Sequence, residues 1–240
     1  MNKYARRRLA LLFSMAFGVA ACATTQGKPD YASVLTHPER PAAERELDAV
    51  RKPGDVLAFY GVKRGDKVAD IWAGRGYYTA ILSQVVGPEG LVYTVNPTAR
   101  QEINDRWKKP EYANVRTADG PVAKIALPQD ASLDFVIIHL NYHDVAPADR
   151  GSMNQRILAS LKRGGIYAVI DHSAKDGSGN DAIKTFHRID RFQVVKEVTD
   201  AGFTLSKDGT MLRKPEDTRD FNVNKERNKD DRFVLAFQKP

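Results

Sequence analysis

The sequence predicts an α/β protein with a doubly wound, mostly parallel sheet, helices on both faces and an antiparallel last strand. Two observations carry this prediction. Short apolar runs, typical of buried strands, alternate five times with segments of helical periodicity, and such alternation builds parallel strand–helix–strand units. In addition, residues 67–83 read as a strand that ends at a carboxylate, a turn containing Gly74 and Gly76, and an apolar helix, which is how doubly wound sheets begin a ligand site.

Glycine and proline residues mark the ends of the predicted helices. Helical patterns break at Pro53, stop at Gly61 and close with Gly87 and Pro88, since glycine just past a helix end and proline after it are typical terminators. The predicted helices cover 42–52, 55–60, 77–86, 148–161 and 192–201, and the predicted strands cover 68–71, 91–95, 114–117, 133–140, 166–170, 203–206 and 233–237. The last two strands are adjacent in the chain and are predicted to pair antiparallel. Residues 213–231 hold six basic and six acidic residues and are predicted to form a solvated surface loop, with a lid as the alternative.

Composition limits the classes of protein to which the chain can belong. Its 240 residues, 42% apolar and 28% charged, fit one globular domain with appendages and exclude a disordered or membrane-spanning chain. The formal charge of +7 overstates the basic character, because Lys3, Arg6, Arg7 and Arg8 carry four of these charges and leave +3 for the remainder. No basic stripe interleaved with aromatic residues occurs, so nucleic acid is not a predicted partner.

The N-terminus predicts a signal peptide over 1–21, a lipidated tether over 22–41 and a folded domain over 42–240. A basic segment, 3–8, precedes an apolar run of about 11 residues, which is too short to cross a bilayer and fits a secretory signal. Residues 19–22 resemble the lipobox of bacterial lipoproteins, which implies acylation of Cys22, the only cysteine. That resemblance implies a membrane partner through the anchor and an envelope location, in the outer membrane facing the periplasm. The alternative is a cytoplasmic protein whose leader is not an export signal.

The glycine turn after the first strand predicts a site for a nucleotide-like cofactor. Glycines let the backbone approach a ligand closely, and the helix N-terminus that follows offers unpaired N–H groups. A dinucleotide fingerprint would need a third glycine where Thr79 stands, and a P-loop would need a Gly-Lys-Ser/Thr ending that is absent.

Three landmarks resemble the class I S-adenosylmethionine (SAM)-dependent methyltransferases over about residues 55–240. They are the segment 70–76 (Asp-Ile-Trp-Ala-Gly-Arg-Gly), the turn 161–165 (Leu-Lys-Arg-Gly-Gly) before a strand, and 201–203 (Ala-Gly-Phe) before another. More narrowly, the segments 76–79, 141–144, 171–172, 187–190 and 231–234 resemble a bacterial group described only as predicted methyltransferases. The resemblance implies a Rossmann-like fold and SAM as the cofactor.

The same resemblance implies which residues hold SAM. Asp70 would orient the turn and accept from the amino group of SAM, and the turn backbone would lie against its methionine portion. Asn96 stands where the family usually has a carboxylate that grips the ribose, and Trp72 replaces the first motif glycine. The implied cofactor-binding residues are Asp70, Ala73, Gly74, Gly76, Asn96 and, at the adenine, Asp119.

Four histidines, His139, His143, His172 and His187, lie at strand ends or in the segment facing them, where ligands of open α/β sheets bind. An imidazole that titrates near neutrality suits a general base, and an adjacent carboxylate would fix its tautomer. His143 is the favoured catalytic residue, His172 is the second choice, and Asn141 and Tyr142 are predicted to position the substrate. A metal site built from Asp171, His172, His143 and His187 is the alternative. None of these has the paired spacing of a zinc motif, so no metal is predicted.

The sequence therefore predicts a SAM-dependent methyltransferase that acts on an unidentified acceptor and is tethered to the envelope. The alternative is a non-catalytic envelope lipoprotein that keeps the fold with a degenerate cofactor site. Asn96 and Trp72 favour the alternative, whereas Asp70, the Gly-x-Gly turn and Asp119 favour the enzyme.

Overall fold

A computed structural model describes residues 30–38 and 40–240. The predicted signal peptide and Cys22 lie outside the described residues. Within the described ranges, no helix combines the length and the apolar character needed to cross a membrane.

The described chain alternates strands and helices around one sheet. The helices are α1 Tyr31–Leu35, α2 Ala42–Arg45, α3 Asp48–Arg51, α4 Pro53–Tyr60, α5 Tyr77–Val86, α6 Gln101–Asn104, α7 Pro147–Ser160, α8 Ala182–Phe186 and α9 Arg191–Asp200. The strands are β1 Lys67–Ile71, β2 Leu91–Val95, β3 Val115–Thr117, β4 Leu133–His139, β5 Leu161–His172, β6 Thr204–Gly209 and β7 Arg232–Gln238. Short 3-10 turns occur at Asp105–Lys108, Pro110–Tyr112 and Val122–Lys124.

The seven strands are ordered β3-β2-β1-β4-β5-β7-β6. The first five are parallel, whereas β7 runs antiparallel to both β5 and β6. This confirms the predicted doubly wound sheet with an antiparallel last strand. The order reverses between β1 and β4, so the carboxyl ends of these two strands open the crevice where such sheets bind ligands.

Successive side chains of a strand point to opposite faces of the sheet, and apolar side chains are buried on both faces. Val68 of β1 and Ile137 of β4 belong to one core cluster, together with apolar residues of α4 and α5. Ala69 and Ile138, their neighbours in the chain, belong to the second cluster, together with residues of α7 and α9. Helices therefore cover both faces, as predicted.

Several predicted elements differ from the structure in their bounds. Helix α5 and strand β2 match their predicted ranges, but the single helix predicted from Ala42 is two short helices, α2 and α3. Lys52 ends α3 in the left-handed region, with a φ of 43°, and Pro53 after it begins α4. Strand β5 begins at Leu161. Residues 162–165, which were predicted as a turn, belong to this strand and form a bulge opposite the Leu133–Phe135 step.

The predicted tether is wrong for the part of it that folds onto the domain. Asp30 caps α1 by accepting hydrogen bonds from the amides of Ala32 and Ser33, and the Tyr31 hydroxyl donates to the Val62 carbonyl at 2.6 Å. Arg40 is buried and pairs with Asp48. The Tyr31–Val62 contact joins residues 31 positions apart, which is more than the window in which helical periodicity can be read, so the sequence pattern did not reveal it.

The charged segment 213–231 forms a loop without helix or strand, and more than half of its residues are exposed, but buried ion pairs anchor it to the domain. The side chains of three of its acidic residues are almost fully buried, and each pairs with an arginine. Buried carboxylates need such partners, since an unpaired charge inside a protein is very costly. The pairs are Asp217 with Arg188, Asp230 with Arg232, and Asp231 with Arg219.

Candidate active site

The chain turns sharply between β1 and α5, and left-handed backbone makes the turn possible. Trp72, Gly74 and Gly76 have φ values of 57°, 60° and 85°. A Cβ on Gly76 would lie 2.2 Å from the Trp107 ring, whereas a Cβ on Gly74 would have no atom within 4 Å. Gly76 is therefore required for packing, and Gly74 faces open space.

That open space is a cavity of about 1010 Å³ at the switch point of the sheet. The turn after β1, the end of β4 and the segments α2–α3 and 102–112 enclose it. Neither Trp72 nor Arg75 fills it, because both belong to its wall. Its lining includes Arg51, Asp70, Gly74, Glu102, His139 and Asn141.

Asp70 lies on the floor of the cavity and is 2% exposed. Its Oδ2 accepts a hydrogen bond from the Thr79 hydroxyl at 2.7 Å. Burial raises the pKa of Asp70 to about 7, although the hydrogen bonds from Thr79 favour the charged form. A buried carboxyl with this pKa, open to a cavity, gains strongly from a cationic ligand.

Asn96 and Asp119 do not line the cavity. The Asn96 Oδ1 accepts from the Gly74 amide at 2.8 Å, so this side chain holds the turn from behind. Asp119 accepts from the Asn96 amide at 2.8 Å and from Asn104 Nδ2 at 2.9 Å. The structure thus places both as supports of the turn, and the carboxylates that follow β2 and reach the cavity are Glu102 and Asp105.

His139, at the end of β4, is the one of the four strand-end histidines that lines the cavity in the described chain. Its ring lies edge-on to Tyr78, with centroids 4.8 Å apart, and its buried Nε2 finds no hydrogen-bond partner among the described residues. Burial, assisted by the charges of Arg51 and Arg232, lowers the pKa of His139 well below its usual value. The ring is therefore neutral near pH 7.

The predicted catalytic group 141–143 separates in the structure. Asn141 lines the cavity. Tyr142 is fully buried, its hydroxyl donates to Glu197 and accepts from Asn154 Nδ2, and it does not line the cavity, so its role as a substrate-positioning residue stays a prediction. Its polar tip is satisfied inside the core between α7 and α9, which no local pattern could indicate.

His143 and His172 lie beside the cavity without lining it. The His143 Nδ1 lies 2.7 Å from Asp171 Oδ1, and the ring centroid lies 5.6 Å from that of His172. Burial opposes protonation of His143, but the charge of Asp171, its hydrogen bond and the charge of Asp144 together raise the pKa of the imidazole. His172 pairs with Asp230 through Nδ1 at 2.5 Å. Between His139 and His143, Leu140, with a φ of 58°, and Asn141 still line the cavity.

Sequence reasoning missed the cavity residues that come from outside the glycine turn. Arg51 stacks over the Tyr77 ring at 4.4 Å, and Glu102 belongs to α6, which was not predicted. Neither stands at a motif spacing. Arg51 and Glu102 line the cavity because α3 and α6 fold over the opening of the crevice.

The strand order, the glycine turn and the cavity at the switch point define the class I SAM-dependent methyltransferase fold. A family model described as protein-L-isoaspartate(D-aspartate) O-methyltransferase matches residues 49–144. A protein-L-isoaspartate O-methyltransferase of Ignicoccus hospitalis is 34% identical over 110 residues, which are 45% of this chain and 48% of that protein. The chain spans about half the length of the curated relatives it matches.

Solved structures agree on the fold. A SAM-dependent methyltransferase from Aquifex aeolicus has a TM-score of 0.63 and 20% identity, and the match covers 88% of this chain and 99% of that one. The 1,6-didemethyltoxoflavin-N1-methyltransferase of Burkholderia thailandensis, solved with S-adenosylhomocysteine, has a TM-score of 0.56 and 22% identity over 82% of this chain and 78% of that one. The chain therefore has the fold of the class I SAM-dependent methyltransferases.

Proposed function

We propose that the protein is a SAM-dependent methyltransferase that binds SAM in the cavity between β1 and β4. One observation supports this proposal most. The buried Asp70 lies on the floor of an open cavity, and the turn containing Gly74 forms part of the cavity wall. SAM, when bound, supplies an electrophilic methyl group, so the protein's main task is to position an acceptor.

The methionine end of SAM is a zwitterion, and the cavity offers a partner for each charge. Asp70 is suited to accept from the ammonium group. Arg51 is suited to the carboxylate, because it lines the same cavity and its guanidinium has no hydrogen bond or ion pair within the described residues. The open space in front of Gly74 admits the ligand against the backbone.

His139 is the side chain best placed to take a proton from the acceptor. It is neutral, its Nε2 is unpaired among the residues that the structure describes, and it lies at the end of β4 across the crevice from the turn. We therefore assign it the role of general base that His143 had in the sequence-based prediction.

The family match supports the cofactor site more than any particular acceptor. Residues 49–144 include β1 to β4 and the glycine turn, which form the cofactor side of the sheet. Strands β5 to β7 and the segment 213–231 lie beyond the match. The acceptor that the isoaspartate methyltransferases' name specifies is thus not carried over, and the acceptor of this protein stays unidentified.

Two glycine substitutions test where SAM binds. Gly74→Ala is expected to fold, at a cost of about 1–2 kcal/mol for left-handed backbone, and to weaken SAM binding at least tenfold, because its Cβ would occupy the space in front of the turn. Gly76→Ala is expected to lose much more stability, since its Cβ would overlap the Trp107 ring. Calorimetric titration with SAM and urea unfolding of the full chain measure both effects.

Gly177→Ala is the matched control. Gly177 also has a left-handed φ, of 82°, and a Cβ added there would have no atom within 4 Å. Unlike Gly74, it does not line the cavity. Its SAM affinity should equal that of the wild type. Equal binding by Gly74→Ala would place SAM elsewhere. Absence of binding by the wild type at millimolar SAM would leave the non-catalytic alternative.

Attachment to the envelope through Cys22 is a separate proposal, supported by the sequence of residues 1–22 alone. Cells that express the full chain and are fed a palmitate analogue should label the wild type and the Thr24→Ala control but not Cys22→Ala. Equal labelling of wild type and Cys22→Ala would exclude acylation at this cysteine and leave the methyltransferase proposal unchanged.

A further inference from the structure

Two imidazoles and a carboxylate converge beside the cavity and have no part in the proposed function. They belong to His143 and Asp144, which follow β4, and to His187, which follows α8. One ligand atom from each lies within 4.8 Å of the other two. The four residues of the metal site considered from sequence included both histidines but not Asp144.

The distances within this cluster fit a small tetrahedral ion. Asp144 Oδ1 lies 3.4 Å from His143 Nε2 and 3.5 Å from His187 Nε2. Zinc bonds of about 2.0–2.1 Å at tetrahedral angles separate two ligand atoms by ~3.4 Å. Two edges of the ligand triangle thus already have the length that a bound ion requires.

His143 is oriented as metal-bound histidines are. Its Nδ1 contacts the fully buried Asp171 at 2.7 Å, which fixes the ring and the tautomer. Its side chain is 0% exposed, and, within the part of the chain that the structure describes, Nε2 has no hydrogen-bond partner although it points at the cluster. A carboxylate behind a histidine whose other nitrogen is unsatisfied is the usual support of a metal ligand.

His187 completes the cluster from the opposite side. It ends α8 in the left-handed conformation, with a φ of 58°, and its ring centroid lies 4.3 Å from that of His143. About a third of its side chain is exposed, which leaves a path by which an ion can reach the cluster. Arg188, the next residue, is fully buried in its ion pair with Asp217 and so holds this corner in place.

We propose that His143, Asp144 and His187 form a binding site for a divalent transition metal of the Zn²⁺ class. Two imidazoles and one carboxylate suit such ions, whereas Mg²⁺ and Ca²⁺ prefer sets of oxygen ligands. Three protein ligands leave a fourth position open. The Nδ2 of Asn141, a cavity residue, donates to Asp144 Oδ2 at 3.1 Å, so the site adjoins the cavity through one side chain.

Titration of the full chain, purified without a histidine tag and stripped with a chelator, tests this proposal. We expect one equivalent of Zn²⁺ to bind and Mg²⁺ not to compete. His143→Gln and His187→Asn should each weaken Zn²⁺ binding more than 100-fold, and Asp171→Asn should weaken it by about 10–100-fold, as loss of a supporting carboxylate does. His37→Gln, which removes a histidine outside the cluster, is the control and should bind as the wild type does.

His187→Asn is the deciding variant, because asparagine tolerates the left-handed backbone at this position and the protein should fold even if His143→Gln does not. Circular dichroism in chelator checks the fold. Zn²⁺ binding by the wild type that is no tighter than binding by His187→Asn overturns the proposal. The outcome does not depend on SAM, so it is distinct from a failure of the proposed function.

Discussion

Asp70→Asn is expected to stabilise the ligand-free protein above pH 7 and, at the same pH, to weaken its binding of SAM. In the folded protein burial raises the pKa of Asp70 from 3.8 to about 7. The folded state therefore binds this proton more tightly than the unfolded state does, and the free energy of unfolding falls as the pH rises from about 4 to about 7. Above pH 7 the whole penalty of about 4 kcal/mol applies.

Asparagine has no charge to bury, so the variant should avoid most of that penalty. Urea unfolding of both proteins on either side of pH 7 measures the difference, which should be large above pH 7 and should shrink towards pH 4. The control is Asp200→Asn, an exposed carboxylate in a surface pair with Lys196, whose effect should stay below about 1 kcal/mol. A loss of stability in Asp70→Asn above pH 7 would contradict this account of Asp70.

The same residue should make SAM binding depend on pH. The ammonium of SAM needs the ionised carboxylate, so wild-type affinity should rise with pH through about 7, and binding below that pH should release a proton. In Asp70→Asn the affinity should be at least tenfold lower above pH 7, and this pH dependence should be absent. The substitution is therefore expected to raise stability and to lower ligand affinity, as happens where a binding site depends on a group that destabilises the folded protein. An unchanged pH profile in the variant would remove Asp70 from the site.

Sequence patterns predicted best the elements whose stability is decided locally. Helix α5 and strand β2 match their predicted bounds because continuous apolar periodicity and a Gly-Pro terminator define them. The contacts that anchor the segment 213–231 and fold α1 onto the domain were missed for the opposite reason. They include Arg188 with Asp217, 29 residues apart, and Tyr31 with Val62, 31 residues apart, and no local window relates such partners.

The candidate site, too, was predictable only where its residues lie close together in the sequence. Asp70, Ala73 and Gly74 line the cavity because they are part of one short motif that folds on its own geometry. The choice among histidines could not be made from sequence, because it depends on the path of the chain after β4, where Leu140 is left-handed. His139 lines the cavity, whereas His143, four residues later, lies in the neighbouring cluster.

Asp217→Ala is expected to cost about 3–5 kcal/mol of the free energy of unfolding, the usual result of breaking a buried ion pair. The side chains of Asp217 and Arg188 are both 0% exposed and contact each other at 2.7 Å. The substitution would leave the guanidinium buried with the carbonyls of Ser173 and Phe221 as its remaining acceptors. Urea unfolding at neutral pH measures the loss, and Lys196→Gln, in an exposed pair, serves as the control, with an expected change below about 1 kcal/mol.

A double-mutant cycle separates the effect of the unpaired charge from that of lost packing. Arg188→Met removes the cation and keeps an apolar chain of similar length, so Arg188→Met with Asp217→Ala should be more stable than Asp217→Ala alone. Since Asp217 also accepts from the amides of Arg219 and Asp231, hydrogen exchange in 213–231 should rise in Asp217→Ala before global unfolding. If the losses of the two single variants simply add in the double variant, the pair is not energetically coupled, and the segment is held by its other contacts.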